Sequence, residues 1–289
     1  MFEKLVLTNS NGEVVEFSQE SPYFATEVGG ISDITSALYT SESMYQHGES
    51  LIGVKISSRD IDISGLINKV DKNESLVYRR KLARVLNPEL DAILVYSYGD
   101  FSKSIRVRSK NAPIFKDKNN RVEFDVNLHA CDPFWRDTSE LAQDIASWMA
   151  LFHFPLEIPV DEGIMFGQRQ PSLIVDVFNE GDVSTGMRIV FRASGTVVNP
   201  SLLNIDTREE MKLNVRMNAG DEITINTEYG SKAVTCLRND EVLNYFRFID
   251  VDSTFMQLAI GDNLFKYDAE EGNELLECTI YYSNKYLGV

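Results

Sequence analysis

Residues 121–137 read RVEFDVNLHACDPFWRD, and in this stretch one kind of structure gives way to another. The run VEFDVNLHA alternates apolar and polar side chains, which is typical of a β-strand with one buried face. Pro133 should end that strand, because proline has no backbone N–H for a sheet and fixes its own φ. The large aromatic residues Phe134 and Trp135 follow directly, so the sequence predicts a buried contact where the strand stops.

The length and charge of the chain indicate two domains that differ electrostatically. At 289 residues the chain exceeds the usual size of one domain, and we place the boundary between domains 1–137 and 138–289. The first domain carries a formal charge of −3 and the second one of −13. Such an acidic chain repels nucleic acid, because duplex affinity depends largely on Lys and Arg. We therefore expect no direct nucleic-acid binding.

The composition indicates a globular protein without membrane insertion. No apolar run approaches the roughly 20 residues of a membrane span, and no basic and then apolar signal segment opens the chain. The cysteines Cys131, Cys236 and Cys278 are widely spaced, so neither a disulfide framework nor a zinc site is indicated.

Alternating runs predict a first domain built mainly from strands. The run LVLTNSNGEVVEF (5–17) contains an Asn-Gly turn, which favours a tight hairpin. Further strands are predicted in IGVKISSRDIDISGLI (52–67) and ILVYSYGDFSKSIRVRS (93–109). Residues 18–50 are rich in Ser, Thr, Glu and Gly, so we expect long loops with brief strands and a contact region there.

One helix should interrupt these strands, in NESLVYRRKLARVLNP (73–88). Its apolar side chains recur at helical spacing, at Tyr78, Leu82, Val85 and Leu86. Asn73 or Ser75 is suited to cap its start, and Pro88 disfavours helical geometry at the preceding residue.

The opposite face of this helix carries a basic cluster in an otherwise acidic protein. The cluster contains Arg79, Arg80, Lys81 and Arg84. It is either a solvated helix face or a salt-bridged contact with an acidic neighbour. Arg79, Arg80 and Arg84 are therefore candidate subunit-interface residues.

The second domain should be an all-β sandwich after one short helix. The helix is predicted in DTSELAQDIASWM (137–149), where Leu141, Ile145, Trp148 and Met149 share a helical face. The chain after it consists of short apolar runs separated by Gly, Asn and Asp, a spacing typical of antiparallel sandwiches.

A search for catalytic motifs indicates that the chain is not an enzyme. The histidines His47, His129 and His153 are isolated, and there is no G-x-S-x-G, G-x-G-x-x-G or phosphate-binding loop. We therefore name no catalytic, cofactor-binding or metal-binding residue. A glycosidase needs only two suitably separated carboxylates, so that class stays open.

Acidic and aromatic groups leave two binding alternatives. The pairs Asp60/Asp62 and Asp250/Asp252 and the acidic run 268–277 are oxygen-rich, but they lack the order of a calcium loop. A sugar-binding module is the stronger alternative, although no tryptophan follows Trp148. The possible aromatic platforms, which are also candidate core residues, are Tyr245, Phe246, Phe248, Phe265, Tyr267, Tyr281 and Tyr282.

The order of short segments along nearly the whole chain resembles the distal tail protein family of long-tailed bacteriophages. The segments that carry the resemblance are LVLTNSNGEVVEF, RVLNP, DPFW, FHFPLEIP, VFNEGDVSTGMRIVF, VVNPSLLNIDT, GDEITINTEYG, LAIGDN and the final YYSNKYLGV. No single one of them is specific, whereas their order is.

This resemblance implies a structural protein of the virion tail tip, made in the cytoplasm of the bacterial host. It implies a β-rich N-terminal ring domain with one helix and a C-terminal galectin-like antiparallel β-sandwich. The implied assembly is a homo-hexameric baseplate hub that joins the tail tube protein to the tail-associated tip protein and to receptor-binding proteins. The alternative function is a carbohydrate-binding module for adhesion to the host cell wall.

The resemblance also predicts where the aromatic residues after strand RVEFDVNLHA lie in the fold. If RVEFDVNLHA is the last strand of the ring domain, then Pro133, Phe134 and Trp135 lie at the domain junction and fix the orientation of the domains. The alternative is that these residues are ordinary core residues of one domain.

Overall fold

The computed structural model describes residues 4–20, 22–45, 47–67, 71–118, 121–145, 147–150, 167–170 and 174–289. It is mainly β, with many antiparallel strand pairs and, within these ranges, one α-helix, so the predicted fold class is confirmed. The chain divides into two compact units, residues 1–138 with 285–289 and residues 139–284. The predicted second domain included residues 285–289, whereas these residues group with the first unit.

The first unit is formed by one large antiparallel sheet, a separate two-stranded hairpin of β4 and β5, and a helix. Its elements are β1 (Lys4–Asn9), β2 (Val14–Phe17), β3 (Tyr23–Gly29), β4 (Ser36–Ser41), β5 (Ser50–Ile56), β6 (Arg59–Ile67), α1 (Lys72–Val85), β7 (Asp91–Tyr98), β8 (Phe101–Ser109), β9 (Ile114–Lys118), β10 (Arg121–Ala130), β11 (Trp135–Asp137) and, from the C-terminus, β26 (Lys285–Tyr286). The main strand order is β2-β1-β7-β8-β10-β6-β3. A bridge between Ser18 and Phe24 joins the two ends of this order, so the strand pairing closes on itself.

The core of the first unit lies inside this closed arrangement. Along its strands, buried side chains alternate with more exposed ones, so that one face of the sheet is apolar and buried. Strand β10, for example, buries every second side chain, and it pairs with β6 from Val122 opposite Ile67 to Ala130 opposite Arg59. Helix α1 contributes Leu82 and Val85 to the same core, and Leu86, directly after the helix, also lies there. The predicted helix is therefore confirmed.

The first hairpin turn is stabilised by residues close to it in sequence, as expected. The first hairpin turns at Gly12, whose φ of 78° is the left-handed geometry that glycine adopts readily. The side chain of Asn9 stabilises this turn, since its Oδ1 accepts the N–H of Asn11 and of Glu13 at 3.1 and 3.0 Å. The helix begins at Lys72, earlier than the predicted capping residues, so those residues lie in its first turn.

The second unit contains short strands and two 3-10 helices. Its strands are β12 (Leu141–Asp144), β13 (Ser147–Ala150), β14 (Gly167–Gln170), β15 (Ile174–Asp176), β16 (Met187–Ala193), β17 (Val197–Val198), β18 (Ser201–Asn204), β19 (Glu210–Lys212), β20 (Arg216–Met217), β21 (Glu222–Asn226), β22 (Ala233–Arg238), β23 (Glu241–Asn244), β24 (Leu264–Asp268) and β25 (Leu276–Tyr282). The 3-10 helices are Phe246–Phe248 and Asn273–Leu275.

Two antiparallel sheets form the sandwich of the second unit. Their strand orders are β12-β25-β16-β21-β22-β23 and β15-β24-β18-β19. Both sheets contribute to a single buried core, with Ile189 and Ile223 from the first sheet and Leu202 and Phe265 from the second. The predicted all-β character of this part of the chain is confirmed.

The helix predicted over residues 137–149 is wrong. The chain forms strand β12 here, and Leu141 to Asp144 pair with Tyr282 to Thr279 of β25. A second strand, Ser147–Ala150, follows it. Pairing along the edge of a sheet outweighs helical spacing in a segment this short, because local propensity is a weak determinant. Ile145 is nevertheless buried, as expected, in the core of the sandwich.

An ion pair between the buried Asp221 and the partly exposed Arg238 supports the second unit. Asp221 accepts two hydrogen bonds from Arg238, at 2.9 Å from Nε and 2.5 Å from Nη2, and one from the N–H of Asn218 at 2.7 Å. Burial alone would raise the pKa of Asp221, but these hydrogen bonds outweigh that effect and hold the pKa below its ordinary value of 3.8. The carboxylate is therefore charged in the folded protein at neutral pH.

Some predictions concern residues that are not described. The segment FHFPLEIP (152–159), which includes His153, lies outside the described ranges. Among the described residues, no helix combines the length and the apolar character needed to cross a bilayer.

Candidate functional site

Strands β4 and β5 form a two-stranded hairpin with exposed apolar side chains on both strands. Leu38 and Val54 lie directly opposite each other and are 64% and 56% exposed. Tyr39, Leu51 and Ile52 are also more than half exposed, and a bulge at Tyr39 and Thr40 interrupts the register. Contiguous exposed apolar surface is uncommon on monomeric proteins and marks interaction sites. The hairpin is therefore the first candidate assembly surface.

The turn of this hairpin, residues 42–49, is called the hairpin tip. Its described residues are all exposed, and Met44 and Tyr45 keep 90% and 95% of their surface in solvent. The tip carries two acidic side chains, Glu42 and Glu49, so its formal charge is −2. It combines bulky apolar groups with negative charge.

The three candidate arginines lie on α1, and the structure places two of them in ion pairs within their own chain. Arg79 pairs with Asp117, and its guanidinium lies 5.5 Å from the centre of the Phe115 ring. Arg84 pairs with Glu13 at 2.6 Å. Arg80 is exposed. The structure therefore finds acidic neighbours for Arg79 and Arg84 within one subunit, while a subunit contact through this helix stays a prediction.

The face of α1 that points away from the core is partly apolar. Leu76 and Val77 are 56% and 65% exposed, and Arg80 and Lys81 follow one turn later and are also exposed. Residues four apart on a helix are neighbours, so these four side chains form one continuous patch, called the outer strip of α1. The strip combines exposed apolar groups with a formal charge of +2.

Trp135 is fully buried in the core of the first unit. Its Nε1 donates a hydrogen bond to the carbonyl of Ile31 at 3.0 Å, and its ring lies edge-on to Tyr96 at 6.4 Å. Strand β10 ends at Ala130, before Pro133, as the sequence indicates. Trp135 is therefore a core residue of the first unit, which is the second of the two alternatives that the sequence left open. A role of Pro133, Phe134 and Trp135 at the domain junction stays a prediction.

A buried arginine organises the backbone around Trp135. Arg59 Nε donates to the carbonyl of Pro133 at 2.9 Å, and Nη1 donates to Gly30 at 3.1 Å and to Ile31. Its Nη2 donates to the carbonyl of Leu287. Burial lowers the pKa of this guanidinium, and the charge of Asp33 partly offsets the effect. One side chain therefore joins three segments that are distant in sequence.

Sequence reasoning did not single out Arg59, although the sequence contained a signal. In the alternating run around residue 60, Arg59 shares a strand face with Ile61 and Ile63, and that face is buried. A charged residue in phase with buried apolar residues is expected to find polar partners inside. Its partners are backbone carbonyls, which no sequence motif marks.

The C-terminal residues complete the same region of the first unit. Strand β26 pairs with β11, with Tyr286 opposite Trp135 and Lys285 opposite Arg136. The hydroxyl of Ser32 donates to the carbonyl of Val289 at 2.8 Å. The first unit is therefore assembled from both ends of the described chain.

Three of the seven aromatic residues proposed as sugar platforms are buried, and three others are partly buried. Phe265 and Tyr267 lie in the sandwich core, and Tyr245 is also buried. Phe246 is 46% exposed and stacks on Phe255, with ring centres 5.8 Å apart and an angle of 23°. It is the candidate platform with the clearest exposed surface.

At least one carboxylate of each acidic pair is engaged with another side chain. Asp60 accepts hydrogen bonds from Lys110 and pairs with His129, both at 2.6 Å, and these hydrogen bonds lower its pKa. Asp250 accepts a hydrogen bond from Asn214 at 2.8 Å. Within the part of the chain that is described, no group of three His, Cys, Asp or Glu side chains is placed to hold a metal ion.

Two solved structures with a related fold cover nearly the whole chain. The Dit protein of phage SPP1, described as a paradigm of the hub adsorption apparatus in phages that infect Gram-positive bacteria, has a TM-score of 0.68 at 13% identity. The match covers 97% of this chain and 98% of that one. A chain of the phage p2 baseplate in its activated, calcium-containing conformation has a TM-score of 0.56 at 11% identity, with full coverage of both chains.

Each of the two parts of the chain matches a known protein family in sequence. Residues 10–130 match the phage tail protein RIFT-related domain, and residues 180–286 match the siphovirus-type tail component, C-terminal domain. The search of curated proteins gave no significant match. The two family matches together cover most of the chain, and the chain therefore belongs to the siphovirus distal tail protein family, whose members are structural components of the phage tail.

Proposed function

We propose that this chain is the hub subunit of a siphovirus baseplate and that it forms a homo-hexameric ring at the tip of the virion tail. In this role the ring joins the tail tube protein to the tail-associated protein and to host-binding proteins. The first domain forms the ring, and the galectin-like sandwich of the second domain presents surface to the other baseplate proteins. The protein acts by assembly and not by catalysis.

The exposed hairpin of β4 and β5 is the observation that carries this proposal. Leu38, Tyr39, Leu51, Ile52 and Val54 are more than half exposed, although residues of this type are usually buried. Burying each of them at an interface would contribute about 25 cal/mol per Å² of apolar area, before the cost of association. A subunit that must join others has a physical reason to keep this surface free.

The mass of the protein in solution tests the proposal. Light scattering after gel filtration should give about six times the chain mass of 32.7 kDa for the protein alone, and a larger mass when the tube protein is bound. Negative-stain electron microscopy should then show a ring with an open channel. A chain that remained monomeric with its tube partner present, and did not bind it, would contradict the hub function.

A pair of substitutions tests the role of the hairpin. The variant Leu38→Ser/Val54→Ser should fold normally and lose the assembled form. The matched control is Val242→Ser/Val251→Ser, which alters two valines that are 68% and 98% exposed in the second unit. This control should assemble like the wild type. Equal assembly of both variants would remove the hairpin from the interface.

Carbohydrate binding is the second candidate, and the exposed Phe246 is the observation that favours it. A ring stacked on Phe255 could bind one face of a sugar, but Lys232 Nζ already lies 5.0 Å from the centre of the Phe255 ring. On an array of glycans and cell-wall polysaccharides we expect no specific binding. Reproducible binding that Phe246→Ala abolishes would favour this second function.

A further inference from the structure

Three loops of the second unit meet on its surface, at residues 227–232, 244–248 and 254–257. The first carries Tyr229 and the second Phe246, which are 68% and 46% exposed. Phe246 stacks on Phe255 of the third loop, with ring centres 5.8 Å apart. The Nζ atom of Lys232 lies 5.2 Å from the centre of the Tyr229 ring and 5.0 Å from that of Phe255. These four side chains therefore form one continuous surface, called the aromatic loop surface.

Amide side chains hold the three loops in place. Asn226 Oδ1 accepts the backbone N–H two residues later at 3.0 Å, and Asn244 Oδ1 accepts the N–H of Phe246 at 2.9 Å. Gln257 Nε2 donates to the carbonyl of Thr227 at 2.7 Å and so joins the third loop to the first. The rings are positioned before a partner arrives, so binding does not carry the entropic cost of ordering free loops.

The aromatic loop surface is positive, although residues 138–289 have a formal charge of −13. Five other cations of the second unit pair with carboxylates of the same unit, namely Arg188, Arg192, Lys212, Arg238 and Lys266. Lys232 and Arg247, the exposed neighbour of Phe246, form no ion pair with any described residue. Two cations without a carboxylate thus lie beside exposed rings, so a complementary partner is one that supplies carboxylates.

The arrangement of the rings favours a protein segment over a sugar as the partner. Phe255 is partly buried and already contacts Phe246 and Lys232, so a flat sugar ring finds no second free platform beside Phe246. Residues 243–248 line a concave surface of about 610 Å³, which can accept side chains of a partner. Exposed aromatic and arginine side chains of this kind dominate the binding energy of many protein interfaces.

We infer that the aromatic loop surface binds an extended acidic segment of another tail protein. Carboxylates of that segment pair with Lys232 and Arg247, and an apolar side chain next to them packs on Tyr229 and Phe246. The cation–π contacts of Lys232 with two rings hold its ammonium in place for this pairing. The inference rests on the proposed hub function and deepens it, because it gives the second unit a docking surface and its partner a chemistry.

Binding to synthetic peptides tests this inference. Overlapping peptides that tile the tail-associated protein and the host-binding proteins encoded with this chain are immobilised and probed with the full-length protein. The peptides that bind should contain Asp or Glu beside aromatic or aliphatic residues. The variants Tyr229→Ala/Phe246→Ala and Lys232→Glu should each bind them at least about tenfold more weakly than wild type, because they remove the apolar contact or oppose like charges.

Matched controls separate this surface from general effects of charge and apolar area. Lys118→Glu makes the same charge change on a lysine of the first unit whose side chain is 71% exposed, and it should bind like wild type. Tyr98→Ala removes a half-exposed ring of the first unit and should also bind like wild type. Peptides whose Asp and Glu are replaced by Lys should bind Lys232→Glu more tightly than they bind wild type, because the charges are then complementary again.

The intact tail-associated and host-binding proteins provide the second measurement, by biolayer interferometry against the same variants. If neither the peptides nor the intact proteins bind wild type more tightly than the two surface variants, this inference is wrong. Binding of cell-wall polysaccharides alone, lost in Tyr229→Ala/Phe246→Ala, would also overturn it in favour of a sugar site. A chain that forms the ring while these assays fail keeps the hub function, whereas a chain that never assembles contradicts that function whatever the peptides show.

Discussion

Truncating Trp135 to alanine should destabilise the first unit and leave the second unit unchanged. The indole is fully buried, it contacts Tyr96 edge-on, and its N–H donates to the carbonyl of Ile31. Alanine would remove the ring contacts and leave a cavity that this closed strand arrangement fills only in part. Removing a buried large aromatic side chain typically costs about 3–5 kcal/mol of unfolding free energy.

The hydrogen bond accounts for a small share of this cost. The Ile31 carbonyl also accepts a hydrogen bond from Arg59, so losing the indole N–H does not leave it without a donor. The variant Trp135→Phe keeps most of the ring and loses the donor. It should therefore lose only about 1–2 kcal/mol, the sum of a net hydrogen bond and a reduced volume.

Urea unfolding followed by circular dichroism gives the free energies, and hydrogen exchange assigns them to a unit. Peptides from β6 and β10 should exchange faster in Trp135→Ala, whereas peptides from β16 and β21 should not change. The control is Tyr98→Ala, because this tyrosine is half exposed in the same unit and should cost no more than about 0.5 kcal/mol. If Trp135→Ala also costs less than about 1 kcal/mol, the packing argument made from this residue is wrong.

Three further predictions follow from buried polar groups and the C-terminal strand. Arg59→Lys should lower the free energy of unfolding in urea by at least about 2 kcal/mol, because one ammonium cannot donate to all the separate carbonyls that the planar guanidinium contacts. A smaller loss would mean that the guanidinium geometry is not required for stability. Deleting residues 285–289 should destabilise only the first unit, by about 2–4 kcal/mol, because β11 loses one of its two partner strands and Arg59 loses an acceptor. Hydrogen exchange that slows or stays constant in β11 would contradict this. The pKa of Asp221 is lowered, so its stabilising effect is fully present above its ordinary pKa of 3.8 and is lost as the pH falls through the folded-state pKa. Asp221→Asn should therefore cost about 1.5–3 kcal/mol at neutral pH and lose less stability between about pH 5 and about pH 3 than the wild type; equal acid sensitivity of both proteins would refute the assignment.

The features predicted correctly from sequence are those that depend on neighbouring residues. The alternation in β6 and β10, the Asn-Gly turn and the helical spacing from Tyr78 to Leu86 each reflect one buried face of one element. The strand stop before Pro133 has a covalent cause, since proline lacks the required donor. Such features can be predicted from a single sequence, because the residues that cause them lie within a few positions of each other.

The features that were missed depend on residues far apart in the chain. Arg59 finds acceptors at residues 30, 133 and 287, and β26 pairs with a strand that precedes it by about half the chain. Strand β4 lies in residues 18–50, which were expected as loops with brief strands, whereas most of β5 lies in the predicted strand run 52–67. Their pairing as an exposed hairpin was missed, because a strand exposed on both faces has no reason to alternate. The wrong helix at residues 137–149 has a related cause, since the edge of β25 and not local spacing determines its structure.

The return of residues 285–289 to the first unit determines when that unit can be completed on the ribosome. At a synthesis rate of about 5–20 residues per second, the 139–284 segment takes roughly 7–30 s to appear after the first 138 residues. Throughout that interval the edge of β11 next to Trp135 lacks its own partner strand. An unpaired edge can pair with a strand of another molecule, so this edge of β11 stays open to such pairing until β26 emerges. The pairing of β26 with β11 therefore closes this edge of the first unit only after the whole second unit has been synthesised.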